Sequence, residues 1–287
     1  LQVGDRIRQG TWIKTGSESK AEVSYEDGSS FFVWSDTTIE VAASEEKPST
    51  SHVFRDLFID AGRIITRIKN ALGKKSNFNT HTRTAVIGVR GTEFRVSVDS
   101  GDTTRSEVLK GKVNAQAMDQ EVLVQAGEGT LIRKNEPPAA PKKLLPPPAL
   151  SDLKSAYKSL PLEFTFEKIE DAVSYRIMLA KDPEFKDVVR EKRIARDQIL
   201  SLEGLEDGTY YLQSRSIDHL GLEGIPSEPA PIRLRVNPLP PFVDSPASGA
   251  EYWKKPIEFK WLKVKDAVAY HIQAAKDDEF KVIAEDR

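Results

Sequence analysis

Apolar and polar residues alternate with a period of two along much of the first 134 residues, the pattern of half-buried β-strands. Ala21, Val23 and Tyr25 alternate with Glu22 and Ser24, Glu26-Asp27-Gly28-Ser29 interrupts as a turn, and Phe31, Val33, Ile39 and Val41 resume the alternation. Asp-Gly is a strong hairpin signal, because a type I′ turn needs positive φ, which these residues tolerate. Similar pairs occur at Ser100-Gly101 and Lys110-Gly111. Phe54 to Leu72 carries two readings. Phe54, Leu57, Phe58, Ala61, Ile64, Ile65 and Ile68 fit a helical stripe, whereas Gly62 in their midst argues against a helix.

The stretch Thr84-Ala85-Val86-Ile87-Gly88-Val89-Arg90-Gly91-Thr92-Glu93-Phe94-Arg95-Val96 packs two glycines and an Arg-Gly-Thr-Glu step between β-branched residues. It resembles the core motif of the FecR family of bacterial envelope proteins. Asp5-Arg6-Ile7-Arg8, Ile13-Lys14-Thr15-Gly16, Asp27-Gly28-Ser29, Gly62-Arg63-Ile64 and Val108-Leu109-Lys110-Gly111-Lys112-Val113 match the family's order and approximate spacing. The resemblance covers residues 1–134. It implies a strand, a turn near Gly62 and a second strand within 54–72, and a place outside the inner membrane; the best-known members relay signals from outer-membrane transporters to sigma factors. Val86, Val89, Phe94 and Val96 are expected in the core, with Gly88 and Gly91 where a Cβ would clash or φ is positive.

Six of the fourteen residues from Pro137 to Leu150 are proline, so 135–150 reads as a stiff linker holding the first domain away from the C-terminal half of the chain. An internal repeat then appears at an offset of 95 residues: Phe164-Thr165-Phe166 matches Phe259-Lys260-Trp261, Asp171-Ala172-Val173-Ser174-Tyr175 matches Asp266-Ala267-Val268-Ala269-Tyr270, and Ala180-Lys181-Asp182-Pro183-Glu184-Phe185 matches Ala275-Lys276-Asp277-Asp278-Glu279-Phe280. Short alternating strands at this period fit an immunoglobulin-like sandwich and not a solenoid. Asp207-Gly208-Thr209-Tyr210-Tyr211-Leu212 resembles the sixth strand of fibronectin type III domains, whose Tyr bonds back to the backbone. The fold class is all-β: a FecR-like domain (1–134), the Pro-rich linker (135–150), a fibronectin type III-like sandwich (151–237) and a second, incomplete copy (238–287). Equivalent residues of the two copies are expected to share burial.

The 42 Lys and Arg balance 44 Asp and Glu, leaving a net charge of -2 and no electrostatic reason to bind nucleic acid. There is no cysteine, hence no disulfide and no Cys metal site. No apolar run approaches the roughly 18 residues of a membrane helix. Leu1 stands directly inside the FecR-like pattern without an initiator Met, the expectation being that an export signal or a further domain precedes it.

The four histidines, His52, His81, His219 and His271, are isolated from one another, so no metal is expected. His271 has Arg176 as its counterpart in the first repeat, which suggests an outward face. No nucleophile elbow or phosphate loop occurs, and Asp27, Asp207 and Asp266 have turn explanations. Two candidate binding residues stand out. Arg90, beside Gly88 and Gly91, either offers a fork to an anionic ligand or pairs internally with a carboxylate such as Glu93. Trp253, beside Lys254 and Lys255, either stacks on a sugar ring or packs an edge. Between Arg63 and Arg95 eight cations (Arg63, Arg67, Lys69, Lys74, Lys75, Arg83, Arg90 and Arg95) face one acid, Glu93; they form a basic patch if they share a face, and a solvated surface if strand alternation divides them. The expectation is a periplasmic or extracellular, non-enzymatic module without cofactor that binds an envelope protein or glycan, peptidoglycan included. The alternatives are an anti-sigma-like signal relay and, if two carboxylates converge in a cleft, a glycan hydrolase.

Overall fold

The computed structural model describes residues 2–47, 52–69, 76–89, 91–151, 153–154, 156–236, 238, 241–253, 256–265 and 267–287. Arg90, Lys74, Lys75, Lys254, Lys255 and Asp266 lie outside the described residues. The described chain is all-β. Its strands are β1 (Trp12–Lys14), β2 (Ala21–Ser24), β3 (Ser30–Val33), β4 (Thr38–Lys47), β5 (His52–Arg67), β6 (Ser76–His81), β7 (Val86–Val89), β8 (Glu93–Val98), β9 (Thr104–Lys110), β10 (Lys112–Ala117), β11 (Gln120–Gln125), β12 (Glu128–Ile132) and β13 (Lys142–Lys143). The later strands are β14 (Leu150–Ser151), β15 (Leu162–Phe166), β16 (Ala172–Ala180), β17 (Val188–Ala195), β18 (Leu200–Leu202), β19 (Gly208–Asp218), β20 (Ala230–Leu234), β21 (Val243–Ser245), β22 (Lys260–Trp261), β23 (Gln273–Ala275) and β24 (Ile283–Asp286).

The chain divides into two compact units, residues 1–153, 164–200 and 211–230 in the first and residues 154–163, 201–210 and 231–287 in the second. In the first unit, β5 is the strand on which the N-terminal fold turns. Its first part pairs with β4 and, in parallel, with β6; its last part, from Gly62, pairs with β3 and β8. One strand therefore serves two sheets: β1-β4-β5-β6-β7-β10-β11, and a second in which β5 neighbours β8-β9-β12-β13. Gly62 sits at the change with φ +99°, and a Cβ there would lie 2.4 Å from Thr37 Oγ1. That hydroxyl accepts the Arg63 N–H at 3.0 Å and donates to the Ser35 carbonyl at 3.0 Å. The segment is strand and not helix. The expected turn at Gly62 is instead a bend through which the strand continues, because a Gly can take a left-handed conformation without breaking the ladder on either side.

Between the two sheets Phe31, Val33, Ile39, Leu57, Ile59, Ile64, Ile87, Phe94, Val96, Val108 and Ala115 form one core. Val89, Phe94 and Val96 belong to it as expected, but Val86 is only half-buried and Ile87 takes its place. Side chains alternate along a strand, so Val86 and Val89, three apart, cannot share a face. Gly91 has positive φ (63°), while Gly88 is an ordinary strand residue. The Asp27-Gly28 turn joins β2 to β3, and Ser100-Gly101 lies in the β8–β9 hairpin. Lys110-Gly111 makes no hairpin: β9 pairs with β8 and β12, β10 with β7 and β11, so the chain crosses there between sheets. A further hairpin, β10–β11, turns at Met118-Asp119 with φ 49° and 57°, the two positive values of a type I′ turn.

The Pro-rich segment is no spacer. Leu144 N–H donates to the Gly127 carbonyl, β13 pairs with β12, the Pro146 and Pro148 carbonyls accept from the Ser216 and Ser214 hydroxyls at 2.6 and 2.9 Å, and the Leu145 carbonyl accepts from Ile225 N–H. It is an extended strap along the first unit. Proline lacks an N–H but keeps its carbonyl as an acceptor.

In the first repeat β17-β16-β19 form an antiparallel sheet. In the second unit the Tyr210 hydroxyl donates to the Glu206 carbonyl at 2.8 Å, the backbone-bonded Tyr that the sequence implied. The two repeats share their internal bonding. Tyr175 and Tyr270 hydroxyls accept from Ile169 and Val264 N–H, Phe166–Tyr175 and Trp261–Tyr270 rings meet at 5.9 and 5.5 Å, and Asp182 and Asp277 cap equivalent turns at Phe185 and Phe280. Burial repeats only in part: Phe166 and Trp261 are both half-buried, but Tyr175 is fully buried against a half-buried Tyr270, and Phe185 is half-buried against an exposed Phe280. In the second repeat the described strands form two separate ribbons, β21-β22 and β23-β24, and a two-stranded ribbon offers no opposing sheet to cover a ring.

Gly62→Ala is expected to lower stability by about 2–4 kcal/mol, combining left-handed strain with the Thr37 clash. Gly127→Ala, where φ is +82° but nothing lies within 4 Å, isolates the strain alone at about 1–2 kcal/mol. Urea titration of both variants measures the difference; equal losses would remove the steric part of the explanation.

Candidate functional site

Arg193, Arg176 and Arg215 stand directly opposite one another across β17, β16 and β19. They point away from the interior of the first repeat, as the His271 comparison implied for Arg176, yet Arg215 is buried and Arg176 is half-buried. Their cover is the outward face of the β5-β8-β9 sheet, where strand alternation places Arg63, Arg95, Arg105 and Glu107 opposite the core residues Ile64, Phe94, Val96 and Val108.

Glu223 joins the two halves. Its Oε1 accepts from Arg176 Nε at 2.5 Å and Arg63 Nη1 at 2.8 Å, and its Oε2 lies 3.4 Å from both Arg95 Nη1 and Arg215 Nη1. Glu191 Oε1 accepts from Arg63 Nη2 at 2.5 Å and Arg176 Nη1 at 2.6 Å. Arg95, 1% exposed, also donates to the Glu223 and Gly224 carbonyls at 2.5 and 2.9 Å, and Glu107 Oε1 accepts the Glu223 N–H at 3.1 Å. The 218–224 loop that carries Glu223 is fixed by Asp218, whose Oδ1 accepts from Leu220 and Leu222 N–H at 2.9 Å each while Oδ2 meets Lys142 of the strap at 3.1 Å. Arg105 Nε donates to the Leu220 carbonyl at 2.7 Å, and a Cβ on Gly224 would sit 2.3 Å from the Leu145 carbonyl oxygen. Only glycine lets the loop lie on the strap.

Burial pushes the Glu223 carboxyl up, but Arg63, Arg176, Arg95 and Arg215 outweigh it and hold Glu223 well below the usual carboxylate range. Glu191 is lowered in the same way: Arg63 and Arg176 overcome its desolvation. Glu107 goes the other way, raised by burial that Arg95 only partly opposes. Arg215, deep among its neighbours, is pushed down to about 9 by desolvation and then by Arg95, and so remains a cation at neutral pH.

Beside this junction a cleft of about 550 Å³ is lined by Arg63, Arg105, Arg176, Arg193, Asp99, Glu191, Asp218 and Glu223 among others. Arg193 is exposed at it and donates to the Ser174 hydroxyl at 2.9 Å. Among the described residues no group of three or more His, Asp or Glu side chains could hold a metal ion, and no helix is long and apolar enough to cross a membrane.

Of the two candidates from the sequence, Arg90 lies outside the described residues, and Trp253 belongs to the second unit, where it is 81% exposed. The described cations of the Arg63–Arg95 stretch do not form one patch, and solvation does not describe them all: Arg67 pairs with Glu93, Arg83 with Asp60 and Asp102, while Arg63 and Arg95 meet as the buried members of the junction. Glu223, Glu191, Arg176 and Arg215 were not singled out as site residues by the sequence. The available signal was weak: Arg95 and Glu107 occupy the second face of strands whose first face is apolar, which reads equally as solvent-facing.

Residues 11–114 match the family model described as FecR protein, the stretch in which the sequence motifs lie. No curated protein matches the chain. A solved structure from Parabacteroides distasonis, described provisionally as an anti-sigma factor, is 18% identical over 46% of this chain and 59% of its own, with a TM-score of 0.38. A DUF3823 family protein from Bacteroides ovatus is 12% identical over 60% of this chain and 98% of its own, with a TM-score of 0.25. The chain thus spans 59% of the length of the first of these structures.

Glu223→Gln is expected to cost about 3–5 kcal/mol, because it leaves four guanidiniums sharing a buried site with less negative charge, whereas Glu136→Gln, at an exposed pair with Arg133, costs less than about 1 kcal/mol. Glu223 and Glu191 have folded pKa values below that of an unfolded carboxyl, about 4.3. Their contribution is complete above that pH and is lost as pH falls through the folded values, while raised Glu107 runs in the opposite direction and offsets part of the loss. Denaturant titration between pH 3 and 7 checks both: wild type should weaken below about pH 4, and Glu223→Gln should flatten that slope.

Proposed function

We propose that this chain is part of an exported, non-enzymatic protein that recognises a protein or glycan partner in the bacterial envelope, with its FecR-like region and the sheet of its first repeat acting as one recognition body. The observation that carries this reading is the Glu223 junction. A buried network of four arginines and three glutamates, closed over by a hydrogen-bonded strap, resists the relative motion that separate modules on a spacer would have. The near-neutral net charge of -2 supports a partner other than nucleic acid.

The electrostatics of the cleft support a non-enzymatic role. Paired-carboxylate hydrolysis needs one carboxyl raised to act as acid. Glu191 and Glu223, the glutamates that line the cleft, are both lowered by arginines that contact them, and Glu107, raised by burial, does not line it. A second reading, the envelope-side part of a signal relay, is favoured by the match of residues 11–114 to the FecR protein model, the family whose best-known members pass signals to sigma factors.

Cell fractionation of the full-length protein tests the compartment: recovery with the envelope or periplasm is expected, and recovery in the cytoplasm would sink both readings. Deleting the gene and measuring sigma-factor-dependent transcripts separates them, since a binding module leaves those transcripts unchanged.

A further inference from the structure

The outward face of the β1-β4-β5-β6-β7-β10-β11 sheet takes no part in the junction. A cross-strand row runs over it from Trp12 through Glu40, Phe58, His81 and Val86 to Gln116, and a second, two residues along, from Asp56 through Asn79 and Gly88 to Asn114 and Leu123. Trp12 is 52% exposed and stands edge-on to Phe58, ring centroids 6.2 Å apart; Leu123 is 51% exposed. Because Gly88 has no side chain, a hollow of about 300 Å³ opens between Asn79 and Asn114. A Cβ on residue 88 would lie 3.3 Å from Asn79 Oδ1, so this amide oxygen faces the hollow.

Each amide is held in one orientation. Asn79 Nδ2 donates to Asp56 Oδ1 at 2.9 Å and Asn114 Nδ2 donates to Glu121 Oε2 at 2.7 Å. Each amide nitrogen has a second N–H beyond the bond it makes, and Asn79 Oδ1 faces the hollow, so the two asparagines suit a ligand whose groups both donate and accept. A cationic ligand is opposed at the hollow by Lys112, which borders it, while the Asp56 and Glu121 oxygens facing Asn79 and Asn114 are occupied by the amide bonds. A polyanion is opposed by the same two carboxylates. An uncharged chain of hydroxyls meets every condition, and the exposed indole adds an apolar surface for a ring face. From β1 to β7 the platform spans four strand spacings, about 19 Å, the reach of an oligosaccharide and not of one sugar.

We propose that this sheet face is a binding platform for an uncharged sugar chain, whose hydroxyls hydrogen-bond the Asn79 and Asn114 side-chain amides on either side of Gly88 and whose rings rest on Trp12. The proposal deepens the envelope-binding reading and rests on it. The test is calorimetric titration of the full chain with the β-1,4 tetramers of N-acetylglucosamine and of glucose, both uncharged, with a lysine hexapeptide as the competing chemistry. Trp12→Ala and Asn114→Ala should each weaken glycan binding at least tenfold with unchanged thermal midpoints, and Trp12→Phe should recover most of the Trp12→Ala loss. Absence of binding to both glycans, binding that both variants leave intact, or preference for the lysine peptide would overturn the proposal. If the protein fractionates with the envelope and binds envelope extract while these variants bind like wild type, this site alone fails; cytoplasmic recovery fails the wider reading.

Discussion

Three guanidiniums in one cross-strand row are the constraint around which the first unit is arranged. Like charges directly opposite in a sheet repel, and burial removes the water that would otherwise screen them. Arg193 ends the row in solvent with a hydroxyl partner, but Arg176 and Arg215 are covered, and their cover must bring carboxylate. Glu223 supplies it from above the row and Glu191 from the neighbouring strand. Because Glu223 also meets Arg63 and Arg95, the charge that makes the repeat's sheet tolerable is the same charge that attaches it to the N-terminal domain.

That dual use explains features with no reason of their own. The 218–224 loop must hold one carboxylate among four cations, so Asp218 ties its backbone and Arg105 grips its crest. The strap must pass beneath it while leaving few unpaired donors, a demand that prolines satisfy by having none. Its carbonyls then accept from Ser214, Ser216 and Ile225, and the absence of a side chain at Gly224 leaves room for Leu145. A composition that on its own denotes a spacer here lines a seam.

The parts of this architecture legible in the sequence are those set by local periodicity. Alternation placed Phe31, Val33, Ile39 and Val41 in the core, Asp27-Gly28 in a hairpin and the two repeats in matching local geometry down to the Tyr175 and Tyr270 hydroxyls. Alternation does not carry the fate of the second face. Arg63, Arg95 and Glu107 look the same in sequence whether water or another domain lies over them, and their partners at 191 and 223 are 128 and 160 positions from Arg63 along the chain. Gly62 was similarly ambiguous: a glycine between two apolar runs signals a reversal or a bend, and the side chain that decides, Thr37, comes from another strand.

The junction also limits where recognition can occur. The N-terminal domain has two sheets over one core, and the outward face of β5-β8-β9 is occupied by the repeat, along with the loop after β19. Apart from Arg193, the arginines of the junction are already matched by carboxylates, so they stabilise an internal surface more than they offer an external one. The complementary face, across β1 to β11, has been left with amides, a single exposed indole and a gap at Gly88, and its Asp56 and Glu121 carboxylates accept from the amides of Asn79 and Asn114. Under the proposed binding role, a protein whose strongest electrostatics are spent internally recognises its partner by shape and hydrogen bonding, and the surface with that character lies on the side of the core away from the junction.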